Sequence, residues 1–352
     1  MTTYKSAHIL LLPVVVIIVV LFSFRLFAQE ASDGNDAAIA YRLYTAGKLI
    51  EAKEIYTGLV KSKKAGIDVF NNLCAIHYEL KEYSEAESMC LKAVVADKSI
   101  FNAYFNLGLI ARDRNKTKEA VGYFEKVLRL NNGHFFSLFH LGNIHQGRGD
   151  CAQAVMKYQE ALDKADEQQG HLADLYYNMG IAQVACKKHG EGIKNYHRAL
   201  KHAGKNVADI YYNLANALRE QGKPKEAVLY YQKTIATDKG YISAYNNLGV
   251  TYSDMGQDDK AREIYEKALH IKDNLEVLYN LGLCYHHKGD NHTAYAYFKR
   301  ALDLSPDDTR VLSSLAHVRG YLEDASYEKT LLSTDNICSE QSPLHLGHNE
   351  NP

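Results

Sequence analysis

Apolar residues recur along most of the chain at helical spacing, arranged as pairs of short stripes separated by a turn. In the stretch Ala244-Tyr245-Asn246-Asn247-Leu248-Gly249, the positions Tyr245, Leu248 and Tyr252 fall three and four residues apart and so share one face of a helix. Gly256 marks a turn, and Ala261, Tyr265 and Ala268 form the stripe of a second helix. This unit returns before and after itself at intervals of about 34 residues. With the Asn before Leu-Gly set as position 6, the units run near 33–66, 67–100, 101–134, 135–172, 173–207, 208–241, 242–274 and 275–308.

Small residues at position 8 (Gly108, Gly142, Gly180, Ala215, Gly249, Gly282) and position 20 (Ala86, Ala120, Ala154, Ala227, Ala261, Ala294) predict that the two helices of a unit approach closely. Gly47, Gly149, Gly222, Gly256 and Gly289 predict turns with positive φ. Ser84-x-x-Glu87 and Asp150-x-x-Gln153 read as capping boxes, and Pro224 as a first helical residue. The first unit is the most degenerate and reads as an N-terminal cap. The fourth is four residues longer, through 164–170, which predicts a local change of pitch. Residues 309–328 read as a capping helix with Val311, Leu312, Leu315, Val318 and Leu322 inward, followed by a polar tail, 329–352, too poor in apolar residues to pack.

Asn106-Leu107-Gly108 with Ala120, Phe124 and Val127, Asn213-Leu214-Ala215 with Ala227 and Tyr231, and Asn280-Leu281-Gly282 with Ala294, Phe298, Ala301 and Pro306 resemble tetratricopeptide repeats. The resemblance covers roughly 33–322, with the repeat array at 33–308, and implies an all-α fold: a right-handed superhelical solenoid of about eight helix-turn-helix repeats with a C-terminal capping helix. It also implies a concave face, lined by the first helix of each unit, that binds protein.

Position 6 is the most uniform feature of that face. Asn72, Asn106, Asn178, Asn213, Asn247 and Asn280 occupy it in six units and His140 in another. An amide offers both a donor pair and an acceptor, so a row of them one repeat apart can grip the backbone of an extended peptide. At these positions the row is similar to the asparagine ladder in the repeats of the O-linked N-acetylglucosamine transferase repeat domain, although His140 interrupts it. The competing expectation is that these amides brace one repeat against the next. Position 5 (Phe105, Phe139, Tyr177, Tyr212, Tyr279) and position 9 (Leu109, Ile181, Val250, Leu283) are expected to line the groove, with Tyr177, Tyr212 and Tyr279 as anchors. Acidic residues at position 2 (Asp68, Asp174, Asp209, Glu276) suit a basic ligand or are solvated charges. No Lys at position 5 pairs with Asn at position 9, so capture of a chaperone's C-terminal carboxylate is disfavoured.

From Ser6 to Phe24 no residue carries a full charge, so residues 1–28 read as a signal peptide, cleaved after Ala28, or as a transmembrane signal anchor. Lys5 precedes this segment and Glu30, Asp33 and Asp36 follow it, which puts the N-terminus in the cytoplasm and the repeats across the membrane. Lys plus Arg number 41 against 42 Asp plus Glu, which leaves no field for nucleic acid. Cys74, Cys90, Cys186 and Cys284 fit helix interiors, and Cys74 with Cys90, from the two helices of one unit, is the bridge worth testing. No phosphate loop, nucleophile elbow or zinc-hydrolase motif is present, so no catalytic residue, metal or cofactor is expected. The expected function is a non-catalytic protein-binding scaffold on the periplasmic or other extracytoplasmic side. The alternatives are a self-associating structural array at the membrane, or a regulatory subunit of an envelope glycosyltransferase or secretion assembly.

Overall fold

A computed structural model of the chain describes residues 36–165, 171–204 and 207–323. The expectations for residues 1–28 and 329–352, and most of the insertion in the fourth repeat, lie outside the described residues. Those residues are all helical or turn, in two compact units, one ending at Cys186 and the other beginning at Lys187. The first unit holds the pairs α1 (Asp36–Thr45) and α2 (Leu49–Lys61), α3 (Ile67–Glu79) and α4 (Tyr83–Ala96), α5 (Phe101–Asp113) and α6 (Thr117–Leu130), and α7 (Phe135–Gly147) and α8 (Cys151–Leu162), followed by α9 (Leu172–Ala185). The second begins with α10 (His189–His202) and continues with the pairs α11 (Ala208–Glu220) and α12 (Pro224–Thr237), α13 (Ile242–Asp254) and α14 (Asp258–Ile271), and α15 (Leu275–His287) and α16 (Asn291–Leu304). A last helix, α17, covers 309–323. Among the described residues no helix is long and apolar enough to cross a membrane.

Each pair closes at one contact, between position 8 of its first helix and position 24 of its second. A Cβ added to Gly108 would lie 2.6 Å from the Phe124 ring, and one added to Gly282 would lie 2.6 Å from that of Phe298. Gly142 under Tyr158 and Gly249 under Tyr265 are at least as tight. The second repeat solves the same contact differently: Cys74 and Cys90 stand at these two positions and are joined by a disulfide, Cα to Cα 5.2 Å, with both residues fully buried. The bridge singled out from the sequence is therefore formed. A second disulfide, Cys151–Cys186, was not expected, because Cys186 was assigned to a helix interior; it is instead the C-terminal cap of α9, half exposed beside the start of α8.

Each pair leaves apolar surface that the next one covers. Phe105, Leu109, Phe124 and Val127 of α5 and α6 pack with Leu141 and Ile144 of α7. In the second unit Tyr245, Tyr265 and Ala268 pack with Val277 and Leu281 of α15. Bonds about one repeat long add to this, from Tyr44 Oη to Glu79 (3.0 Å) and from Tyr78 Oη to Asp113 (2.8 Å). Helix α17 buries Val311 and Val318 completely and Leu315 and Leu322 in part. Leu312, expected inward, is 43% exposed, because it follows Val311 by one residue and so turns about 100° off the buried stripe.

The five turn glycines all have positive φ, from 70° to 83°. The other first-to-second-helix turns place Lys81 (φ 61°), Asn115 (59°) and Lys187 (63°) in the same left-handed conformation. The expected capping boxes do not form: α4 starts at Tyr83 with no side-chain cap, and Ser84 and Glu87 instead hold Arg114 of the next repeat at 2.8 and 2.7 Å. Asp150 sits at the N-cap of α8 but accepts no capping bond. The side-chain caps among the described residues include His134, Asn274 and Asp290, and Asp308 at the start of α17.

Two substitutions test this account by thermal or denaturant unfolding. Gly282→Ala drives a methyl into the fixed Phe298 ring and is expected to cost about 1–3 kcal/mol. Lys81→Gly relieves a left-handed non-glycine residue and is expected to stabilise by about 1 kcal/mol.

Candidate protein-binding face

The position-6 side chains are placed by the first helix of each repeat, and their surroundings differ along the row. In the first unit Asn72, Asn106 and Asn178 are buried, at 4%, 6% and 8% exposure. Asn72 Nδ2 donates to Tyr56 Oη of the preceding repeat (3.0 Å), and Asn178 Nδ2 donates to the Asp174 carbonyl one turn back in its own helix (2.9 Å). In the second unit Asn213, Asn247 and Asn280 are half-buried. Asn213 Nδ2 donates to the Asp209 carbonyl (3.0 Å). Asn247 Nδ2 donates to Tyr212 Oη (3.0 Å) and to Asn216 Oδ1 (2.9 Å), and Asn280 Nδ2 donates to Asn246 Oδ1 (2.9 Å). Asn72, Asn247 and Asn280 thus each brace a neighbouring repeat. Asn247 spends both of its amide hydrogens in doing so.

The expected anchors are also held. Tyr212 lies against Tyr241, ring centroids 5.0 Å apart, and Tyr241 Oη donates to Asp209 (2.7 Å). Arg310 of α17 lies over the Tyr279 ring at 5.3 Å and forms a bidentate pair with Glu276 (2.8 and 3.1 Å). Two of the position-2 acids, Asp209 and Glu276, therefore have partners within the chain. Tyr177, Tyr212 and Tyr279 are half-buried, whereas Phe105, Phe139 and Leu109, expected to line the groove, are buried in the core.

Position 9 carries a signal that sequence reasoning missed. Where position 24 is Tyr, a buried hydroxyl needs an acceptor, and Asn143 takes that of Tyr158 (2.6 Å) and Asn216 that of Tyr231 (2.6 Å). Where position 24 is Phe, as at Phe124 and Phe298, position 9 is Leu109 and Leu283. The match is confined to these two Tyr repeats, since the buried Tyr196 and Tyr265 go with Ile181 and Val250 at position 9.

His140, in the Asn row, is buried and accepts at Nδ1 from Arg112 Nη1 (3.2 Å); Arg112 also reaches Tyr78 Oη (3.2 Å). Burial, then the Arg112 charge, holds this imidazole well below its ordinary pKa, so it stays neutral. His134 caps α7: its Nδ1 accepts from the Ser137 amide (3.2 Å) while the ring packs edge-on against Phe105 (4.9 Å). Burial lowers its pKa to about 4. The remaining thiol among the described residues, Cys284, is buried, which pushes its pKa up to about 11. No group of three His, Cys, Asp or Glu suited to a metal occurs among the described residues.

Models of the tetratricopeptide repeat match residues 101–134, 171–240, 242–275 and 275–308. The chain is similar to the BBSome complex member BBS4 of Bos taurus, 31% identical over 122 residues, and to the human protein O-mannosyl-transferase TMTC3, 28% identical over 228 residues. These alignments cover 35% and 54% of this chain but only 23% and 24% of those proteins, so the chain spans about a quarter of the length of the curated relatives it matches. Among solved structures it is similar to pilF of Pseudomonas aeruginosa, with a TM-score of 0.50 at 20% identity over 63% of this chain and 98% of that one, a likeness of fold.

The His134 environment gives a pH prediction. A base whose folded pKa lies below its unfolded value leaves the unfolded chain to take the proton first. The stability contributed by neutral His134 is full above about pH 6.5 and falls away as the pH drops toward about 4, a loss of about 3 kcal/mol. His134→Asn keeps a capping acceptor without the titration, and its unfolding free energy should fall by about that much less between pH 7 and 4.

Proposed function

The chain belongs to the tetratricopeptide repeat family, and on that premise we propose that it is a non-catalytic scaffold whose first-helix face holds an extended segment of a protein partner. Proteins of this family are generally protein-interaction scaffolds. The observation that carries the reading is the row of half-buried amides in the second unit, Asn213, Asn247 and Asn280, one repeat apart, each with Nδ2 tied by a hydrogen bond. A side chain already fixed loses little rotamer entropy on binding, which is the condition for gripping a backbone cheaply. Asn213 and Asn280 serve the partner, and Asn247 holds the repeats in step. Tyr212 and Tyr279 flank them as anchors. The buried Asn72, Asn106 and Asn178 of the first unit belong to the packing.

We place the repeats outside the cytoplasm, anchored or exported through residues 1–28. The uncharged run from Ser6 to Phe24 supports this, and so do two disulfides, since such bonds persist in oxidising compartments. The name of one relative, a member of a larger complex, is in keeping with an assembly role.

The test is crosslinking capture from native membranes with the full chain and with the Asn213→Ala, Asn280→Ala double variant. Capture should fall about tenfold or more with unfolding unchanged; equal capture by a folded variant removes the asparagine reading. Asn247→Ala alone should instead lower stability by about 1–3 kcal/mol, because it strips the Asn216 and Tyr212 oxygens of a donor.

A further inference from the structure

The two disulfides stand in different settings. Cys74–Cys90 lies between the helices of one repeat with both residues at 0% exposure, out of reach of any reagent while the repeat is folded. Cys151–Cys186 joins two successive repeats, from the first residue of α8 to the residue that ends α9, and both of its cysteines are half exposed. It closes the chain over a sequence separation of 35, a stretch that includes the four extra residues of the fourth repeat. The α8–α9 junction is thus the one joint among the described repeats where a longer connection is matched by a covalent tie.

We propose that Cys151–Cys186 is a thiol–disulfide exchange site for an external dithiol, and that the bond latches the fourth repeat to α9. The ends of the bond differ. Cys151 is at the N-terminus of a helix of 12 residues, where the helix dipole favours a thiolate, with Asp150 beside it turned toward His145 at 3.8 Å. Cys186 is at the C-terminus of a helix of 14 residues, where the dipole disfavours one. The incoming thiolate therefore attacks Sγ of Cys186, the Cys151–Cys186 bond breaks, and Cys151 leaves as the thiolate. The reagent's second thiolate then attacks its own sulfur in the mixed disulfide and releases Cys186. The dithiol is oxidised to its disulfide by two electrons, the protein disulfide is reduced, and the two reagent protons end on Cys151 and Cys186.

Opening the latch leaves packing between α8 and α9 in place, because Ala161, Leu172 and Leu175 remain buried together. The expected consequence is a looser junction in a folded array.

The full chain, purified without reductant, is treated with dithiothreitol, and freed thiols are alkylated and mapped by mass spectrometry. Cys151 and Cys186 should become labelled at least about tenfold faster than Cys74 and Cys90, and amide exchange should rise in α9 while α3 and α4 stay protected. Equal opening rates, earlier opening of Cys74–Cys90, or free Cys151 and Cys186 before any reductant would overturn the site. Unchanged exchange in α9 after opening would overturn the latch. Brief treatment with glutathione, quenched by acid, should leave the adduct on Cys186, and an adduct mainly on Cys151 would overturn the direction of attack. Cys151→Ser with Cys186→Ser serves as the permanently open form, and its α9 exchange should match that of the reduced protein.

Discussion

The fold depends on how closely two helices can pass. In each hairpin a side chain at position 24 of the second helix occupies the place where a side chain at position 8 of the first would otherwise stand. Glycine under a six-membered ring is one solution, in the Gly108–Phe124 and Gly282–Phe298 pairs, where even a methyl group would collide. Alanine with Tyr231 is another, and the Cys74–Cys90 disulfide is a third. In the third case a covalent bond replaces the volume of a ring. Interiors packed to crystal density tolerate such swaps only when both partners change together.

Choosing Tyr rather than Phe for the ring adds a hydroxyl to the interior, and at Tyr158 and Tyr231 an amide at position 9 answers it. Asn143 and Asn216 accept from Tyr158 and Tyr231, and Asn247 then donates to Asn216 from the next repeat. The Tyr231 ring thus commits a position in its own repeat and, through it, a position in the following one. This coupling is a reason for the asparagine row that is separate from binding, and it falls most heavily on Asn247.

The hairpins, their turns and their order were legible in the sequence because they rest on local rules: a period of about 34 residues, glycine where φ must be positive, small residues where helices cross. Even there the conformation outran the residue, since Lys81, Asn115 and Lys187 take left-handed turns that their identities do not announce. The capping boxes failed because Ser84 and Glu87 are worth more to Arg114, which arrives from a neighbouring repeat that no local pattern can see. The candidate face was legible as a row of positions but not as a set of partners. That Tyr279 lies under Arg310, or Tyr212 against Tyr241, depends on contacts between successive repeats. Cys151–Cys186 was missed for the same reason: its two ends are far apart in the chain and meet only once α8 and α9 stack.

Contacts between repeats therefore decide what the first-helix face can offer. A quasi-one-dimensional array has no central core to enforce its shape, so each junction sets its own geometry from a handful of apolar residues and a few polar ties. Where a tie uses all the hydrogens of an amide, as at Asn247, the residue is a strut. Where it uses one and leaves the side chain half exposed, as at Asn280, the same residue type is both fixed and available. Binding capacity and stability are then distributed along one row of identical residues by their neighbours, which is why the row cannot be assigned a single role from its sequence.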